Sequence, residues 1–285
     1  MDCFNGAKRG GFIYTATLIL FLIVALIGRT VLAAFNASET LSYAVNGVLT
    51  FAVFITVVLL STKKRVITVY VRKCSCGYFL AAVMLAFGML LGLGFVNSIV
   101  ADGVKSVGGR IAQDPDILNS TFEFILFTIV LCVLPAVGEE LFFRGVIAES
   151  VSKTGKVAGV LTVALCFAVY HGSVSQLLYQ FIYGLGLGVL ALKAKSVVPT
   201  VLAHFINNFA VLSMEYFSVP LDLFNPIVIS VGAVLLAGFA AIIFVPKKQS
   251  AGAEKTESIK EFYLPFGIIG IGAAVLTIIL SALPL

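Results

Sequence analysis

The chain has 285 residues, of which 60% are hydrophobic and 12% are charged, and its formal net charge is +5. Apolar runs of about 20 residues, the length that crosses the hydrocarbon layer of a membrane as a helix, recur along the sequence. They leave no soluble domain of useful size, and they lack the period of two that marks a membrane β-barrel. The composition therefore predicts an all-α polytopic membrane protein.

The apolar runs, taken in chain order, predict a bundle of about eight to nine transmembrane helices. The expected ranges are 12–35, 42–61, 77–100, 121–150, 156–171, 174–194, 197–213, 224–245 and 262–283. The fourth run is longer than one crossing needs, so we expect it to tilt or to project beyond the membrane. A polar linker, 246–261, separates the last helix from the rest.

Basic residues follow alternate loops, which predicts the orientation, because loops rich in Lys and Arg stay on the cytoplasmic side. With a cytoplasmic N-terminus, only Arg29, Lys105 and Arg110 fall at the outer side. The inner side then collects Lys8, Arg9, Lys63, Lys64, Arg65, Arg72, Lys73, Lys153, Lys156, Lys193, Lys195, Lys247, Lys248, Lys255 and Lys260. The net charge therefore indicates orientation and attraction to anionic membrane lipids, and it gives no reason to expect nucleic acid as a partner.

Three polar clusters interrupt the apolar runs, and the first holds Glu139, Glu140 and Arg144. Glu140 and Arg144 stand four residues apart on one helix face, in the favourable order for an ion pair. Glu139 is rotated from Glu140 by about 100° and lacks that partner, so it is free to face a site. The alternative is an ion pair near the cytosolic interface with Glu139 simply solvated.

Pro135 precedes this cluster within the same apolar run. It has no N–H group to bond the carbonyl of Leu131, four residues earlier. A kink or a small wet pocket is therefore expected there, although prolines in membrane helices are common without any chemistry.

The other two clusters contain the only histidines in the chain, His171 and His204. His171 ends a predicted helix, where a packing role is the alternative to catalysis. His204 and Asn208 lie four apart on one face of another helix, so two hydrogen-bond donors could stabilise an oxyanion. The alternative for that pair is an interhelical polar contact.

Together, a carboxylate, two histidines and an amide are the groups needed to activate a water molecule and stabilise a tetrahedral intermediate. The HExxH motif of zinc proteases is absent. A zinc site formed by Glu139, His171 and His204 from three helices remains open, with one free coordination position.

Glu139-Glu140-x-x-x-Arg144, Phe167-x-x-x-His171 and His204-x-x-x-Asn208, in that order on separate helices, resemble the CAAX-protease and bacteriocin-processing family of intramembrane proteases, also called Abi proteins. The resemblance covers about 122–213. It implies endoproteolysis within the membrane. Family members are often labelled metalloproteases, but a glutamate-activated water without metal is the mechanism we prefer, with zinc possible as a cofactor.

The resemblance also implies a role for each residue. Glu139 and His171 would activate water, and His204 with Asn208 would stabilise the oxyanion. Glu140 and Arg144 would support the helix, in agreement with their spacing.

The resemblance leaves the substrate open. Eukaryotic members cleave prenylated proteins, whereas prokaryotic relatives are tied to bacteriocin maturation, self-immunity or membrane signalling. We expect a peptide or prenylated protein as substrate, and we expect a bacterial cell membrane as the location. The expected organisation is a catalytic core at 121–213, flanked by transmembrane helices without a recognisable motif at 1–120 and 214–285.

Two other functions remain compatible with the sequence. A non-catalytic membrane scaffold or immunity protein could bind a peptide, a toxin or a sensor kinase through the same pocket. A proton-coupled carrier could use Glu139 and His171 as a proton relay. Replacing Glu139 with Gln separates these functions from proteolysis.

Overall fold

A computed structural model describes residues 6–62, 70–111, 118–244 and 256–283. Within these ranges the protein is all-helical and has no strand, as the composition predicts. Several of the predicted inner basic residues, and most of the polar linker, lie outside the described residues: Lys63, Lys64, Arg65, Lys247, Lys248, Lys255 and 246–255.

Nine helices form the described part of the chain, and all nine correspond to predicted ranges. They are α1 (Gly6–Ala34), α2 (Glu39–Thr62), α3 (Cys76–Ser106), α4 (Thr121–Ser150), α5 (Lys156–Tyr170), α6 (Val174–Ala194), α7 (Val198–Tyr216), α8 (Pro226–Phe244) and α9 (Lys260–Ala282). Seven are long and apolar enough to cross a membrane. Of the other two, α7 carries His204, and α5 directly precedes His171.

The C-terminal half of helix α4 lies at the centre of the bundle, and α4 packs against α2, α5 and α7. On the outer side of this group, α3 pairs with α8, α5 with α6, and α1 with α2 and α9. The start of α4 is capped locally: Ser120 accepts from the N–H of Glu123, and the Glu123 carboxylate accepts from Asn119 N–H and Ser120 Oγ. This capping box fixes where the central helix begins.

Helix α4 is not a regular α-helix along its length. Two segments, Thr128–Val133 and Leu141–Ile147, have π-helical hydrogen bonding. The α-helical turn between them, Leu134–Glu140, begins with Pro135 and ends with the two adjacent glutamates. Short π-helical segments are often found at functional sites, because they change which side chains point inward.

The charged ends of the helices meet at one end of the bundle, which we call the basic end. It contains the start of α1, α3, α5, α7 and α9 and the end of α2, α4, α6 and α8, as expected when successive helices run antiparallel. Contacts at this end include Lys153 Nζ to Glu257 at 3.9 Å and Tyr70 Oη to Glu149 at 2.6 Å. The predicted cytoplasmic cations in the described ranges all lie at or near these helix ends.

Candidate active site

The first polar cluster lies inside the bundle. Glu139 is 6% exposed, Glu140 is fully buried and Arg144 is 5% exposed. The alternative in which Glu139 is solvated near the interface is therefore wrong. Ionised groups are costly in such surroundings unless they have partners, so the contacts of each side chain define the site.

Glu140 joins two helices. Its Oε1 accepts from Arg144 Nη1 at 2.7 Å, which is the ion pair predicted by the spacing, and from His204 Nδ1 at 3.0 Å. The sequence did not predict the contact with His204, because it joins residues that are far apart in the chain. Glu140 therefore orients the imidazole of His204 on α7 and also stabilises α4 through its ion pair with Arg144.

Arg144 connects the same cluster to α5 and α6. Its Nη2 donates to the carbonyl oxygen of Gly184 at 3.3 Å, and its guanidinium lies 4.1 Å from the ring centroid of Phe167. A cation over an aromatic face is favourable in a desolvated site. The guanidinium is therefore held by a carboxylate, a carbonyl and a ring from three different helices.

Glu139 has a different environment from its neighbour. The described residues contain no hydrogen bond or ion pair to the Glu139 carboxylate, and its Oε2, like that of Glu140, is buried without a hydrogen-bond partner. A buried carboxylate oxygen with free acceptor capacity is unusual, and each such case calls for an explanation. A substrate or a water molecule is the type of partner that would satisfy it.

His171 follows the last residue of α5 and is half-buried. Its Nδ1 is 2.7 Å from the carbonyl oxygen of Phe167, and a carbonyl can only accept. Nδ1 therefore carries the hydrogen, which leaves Nε2 as the free acceptor of the neutral ring. The described residues contain no direct hydrogen bond between His171 and Glu139.

The ring of Phe167 lies between the two histidines. Its centroid is 4.6 Å from that of His171 and 5.8 Å from that of His204, both in edge-to-face geometry. The second and third clusters of the sequence therefore come together around one ring, next to Arg144. The structure thus brings Glu139, His171 and His204 into one region without placing them in direct contact.

Asn208 has a definite structural contact. Its Nδ2 donates to the carbonyl oxygen of Leu131 at 3.1 Å. This is the carbonyl four residues before Pro135, the position whose regular α-helical donor would be the missing proline N–H. One amide hydrogen of Asn208 is therefore engaged, and the second is left for another acceptor.

Sequence reasoning missed Asn207, Tyr179 and Tyr183. Tyr179 Oη donates to Asn207 Oδ1 at 2.8 Å, and Asn207 Nδ2 lies 3.5 Å from Asn208 Oδ1. Tyr183 is buried, with its ring centroid 6.4 Å from that of His204 and with no partner for its hydroxyl. The only available signals were the adjacency of two asparagines and two tyrosines four apart on α6.

The possible zinc set does not form a metal site in this arrangement. Among the described residues, no three His, Cys, Asp or Glu side chains are grouped so that they could hold a metal ion. Nδ1 of His171 and Nδ1 of His204 are engaged with Phe167 and Glu140, so each ring could coordinate a metal only through Nε2. Glu139, His171 and His204 are therefore not grouped as zinc ligands in this arrangement.

Comparison with known families finds one match at this site. Residues 121–210 match the family model described as Type II CAAX prenyl endopeptidase Rce1-like. This segment begins with α4 and includes all three polar clusters, and it covers about a third of the 285 residues. Neither the curated proteins nor the solved structures give a significant match. The resemblance stated from the sequence is confirmed for this segment, and the chain is similar there to CAAX-type endopeptidases.

Proposed function

We propose that the protein is an intramembrane endopeptidase that hydrolyses a peptide bond with a water molecule activated by Glu139 and His171. The observation that carries the proposal is the burial of the polar set within the Rce1-like segment. Glu139 supplies an acceptor oxygen without a partner, next to histidines from two other elements. Buried polar groups in a membrane bundle are costly, which favours a functional reason for them.

Water activation uses two free acceptors of the site. Glu139 Oε2 and His171 Nε2 are both able to accept a proton from a water molecule placed between them. The water oxygen attacks the carbonyl carbon of the scissile peptide bond as its proton passes to this pair. The same proton is then delivered to the leaving amine nitrogen when the carbon–nitrogen bond breaks.

The oxyanion is stabilised by His204 and Asn208. Since Nδ1 of His204 donates to Glu140, its Nε2 can donate to an oxyanion only when the ring is protonated. Glu140 accepts from Nδ1 and so orients this ring, which gives Glu140 a role in catalysis through His204. Asn208 contributes its second amide hydrogen, and each donor of this type contributes roughly 3 kcal/mol to transition-state stabilisation.

The substrate we infer is a peptide or a prenylated protein, in keeping with the family of the matched segment. The active site lies within an apolar bundle, so a lipid-modified segment could reach it from the membrane. We propose a reaction without metal, because the His, Cys, Asp and Glu side chains of the described residues are not grouped as ligands for a metal ion.

Cleavage by the purified protein in nanodiscs tests the proposal. A library that includes prenylated C-terminal peptides is incubated with wild type and with Glu139→Gln, His171→Ala and Glu39→Gln, the last removing an exposed carboxylate outside the site. We expect Glu39→Gln to cleave normally, and loss of the base to slow cleavage about 10²–10⁴-fold.

A zinc chelator is added in a parallel series, and we expect cleavage to survive it. Cleavage that is lost with the chelator and restored by zinc would contradict the metal-free reaction. Wild-type rates in Glu139→Gln, with the fold intact, would contradict the protease and favour a binding protein.

A further inference from the structure

A cavity lies at the basic end, apart from the catalytic residues. Its volume is about 440 Å³, and its walls come from the end of α4, the start of α5, the end of α6, the segment between α6 and α7 and the segment before α3. Arg144 lines its floor, whereas Glu139, His171 and His204 are not among the lining residues. The buried Arg144 side chain therefore separates this cavity from the site proposed for peptide cleavage.

The rim of the cavity is positively charged. Arg72, Lys156 and Lys195 are exposed and line it, and none of them forms an ion pair with another described residue. The wall contains one carboxylate, Glu149, whose Oε2 accepts from Tyr70 Oη at 2.6 Å. Three unpaired cations against one engaged carboxylate favour an anionic ligand.

The backbone N–H groups at the start of α5 also favour an anionic ligand. Gly155, with φ of 107°, precedes α5, and no side chain caps this helix. The first N–H groups of a helix have no partner within it, and the helix dipole attracts negative charge there. Gly155, Lys156 and Gly159 all line the cavity, so this uncapped end of a 15-residue helix opens onto it.

Two further observations are not explained by packing. Lys195 directly follows α6 with φ of 53°, in the left-handed conformation that commonly ends a helix but suits glycine or asparagine better than lysine. Arg144 is 5% exposed, and its Nε is buried with no partner. The cation of Lys195 is thus kept at the rim of the cavity by a residue in an unfavourable backbone conformation. Arg144, which lines the same cavity, has a buried Nε–H donor without a partner.

We propose that this cavity binds the phosphate headgroup of an anionic phospholipid. Apolar side chains beside the cavity are strongly exposed on the same helices, including Val157 at 74%, Leu161 at 45% and Leu192 at 42%. These side chains give the acyl chains a surface to lie against, which a soluble phosphate does not need. The shared chemistry is a phosphate group, and a lipid is the source that the surroundings favour.

The test uses the full-length protein in neutral detergent and a short-chain phospholipid, dioctanoyl phosphatidylglycerol. Binding is measured by native mass spectrometry and by the shift in thermal unfolding. The cavity variant is Arg72→Gln/Lys156→Gln/Lys195→Gln. The control, Lys73→Gln/Lys153→Gln/Lys193→Gln, removes three charges from the same end at positions that do not line the cavity.

We expect the control to bind the lipid as wild type does, and the cavity variant to bind at least ~10-fold more weakly, because it loses three cations that attract the anionic headgroup. Lys195→Gly, which suits the left-handed backbone and removes one charge, should fold normally and bind with intermediate affinity. Wild-type binding by Lys195→Gly and by the cavity variant would overturn the proposal.

Three further outcomes overturn it in different ways. Equal weakening in the cavity variant and the control would indicate attraction by the net charge of this end. Equal binding of dioctanoyl phosphatidylcholine would exclude recognition of an anionic headgroup. Binding of inorganic phosphate that displaces the lipid at similar concentration would identify a soluble phosphate as the ligand.

Discussion

Glu139 and Glu140 are neighbours in the chain and have different contacts in the structure. Oε1 of Glu140 accepts from Arg144 and His204, whereas the described residues contain no hydrogen bond or ion pair to the Glu139 carboxylate; the Oε2 atoms of both residues are buried without a partner. The 100° step of the helix, about one quarter of a turn, is what separates them. Two consecutive residues can therefore supply the ion-paired carboxylate and the carboxylate proposed to act as the base.

This difference predicts that replacing Glu with Gln lowers the stability of the protein much more at position 140 than at position 139. Glu140→Gln removes the charge that compensates Arg144, so we expect it to destabilise the protein by about 3–5 kcal/mol. Glu139→Gln breaks no ion pair and keeps the side-chain volume, so we expect less than about 1 kcal/mol. Thermal unfolding of both variants in the same detergent measures the difference.

Glu140→Gln/Arg144→Met is the control, because it removes both members of the ion pair. We expect it to recover part of the stability lost in Glu140→Gln. Equal unfolding temperatures for Glu139→Gln and Glu140→Gln would contradict the assignment of the structural role to Glu140.

At the scale of elements, α4 and α7 are joined by a side-chain hydrogen bond to a backbone carbonyl near Pro135. Pro135 cannot donate, and the carbonyl of Leu131 instead accepts from Asn208 at 3.1 Å. An unpaired carbonyl inside a membrane protein is costly, so the proline on one helix makes the asparagine on the other structurally useful. Asn208 thereby combines a structural contact with the role proposed for it in catalysis.

A double-mutant cycle tests this relation. Asn208→Ala should destabilise the wild-type protein, and it should cost less in a Pro135→Ala background, where residue 135 can donate to the Leu131 carbonyl. We expect a coupling free energy of about 0.6–1.7 kcal/mol, the range for hydrogen bonds between membrane helices. Additive unfolding free energies would show that the two residues act independently.

The pairing of α3 with α8 depends on glycine. A Cβ added at Gly232 would overlap the backbone of Gly92, and one added at Gly88 would lie 2.9 Å from Leu236 Cγ. The spacing of Gly88 and Gly92, four residues apart, is typical of closely packed membrane helices. Backbone atoms, unlike side chains, cannot move aside without separating the helices.

Gly232→Ala should therefore destabilise the bundle by about 1–3 kcal/mol, as overpacking does. Gly272→Ala in α9 is the matched control, because no atom lies within 4 Å of the added Cβ. There alanine should be neutral or stabilising by up to about 1 kcal/mol through its higher helix propensity. Similar unfolding temperatures for the two variants in detergent would contradict the close contact of α3 and α8.

For the whole molecule, hydropathy alone predicts the helices. The nine apolar runs match the nine helices of the described ranges within a few residues, except at the N-terminus of α1 and the C-terminus of α3. Apolar length is sufficient there because each membrane helix satisfies its own backbone hydrogen bonds. The ion pair of Glu140 with Arg144 follows from local spacing in the same way.

The remaining contacts of the site depend on how the helices pack together. The bond from His204 to Glu140 and that from Tyr179 to Asn207 join different helices, and no periodicity of one helix encodes them. The π-helical segments of α4 were also not predicted, since they change the register of side chains without changing the apolar pattern. The cavity at the basic end likewise requires the positions of several helix ends.

The distribution of cations predicts the orientation of the whole bundle. The basic end should face the cytoplasm, because positively charged loops are retained there.

Two single-cysteine variants test this: one keeps exposed Cys76 at the basic end, and the other carries Ser106→Cys at the opposite end. The remaining cysteines are replaced by alanine in both. A membrane-impermeant maleimide should label only the Ser106→Cys variant in intact cells, and both variants after lysis. Labelling of Cys76 in intact cells would show that the orientation is the reverse. The cavity at the basic end would then face the outer leaflet.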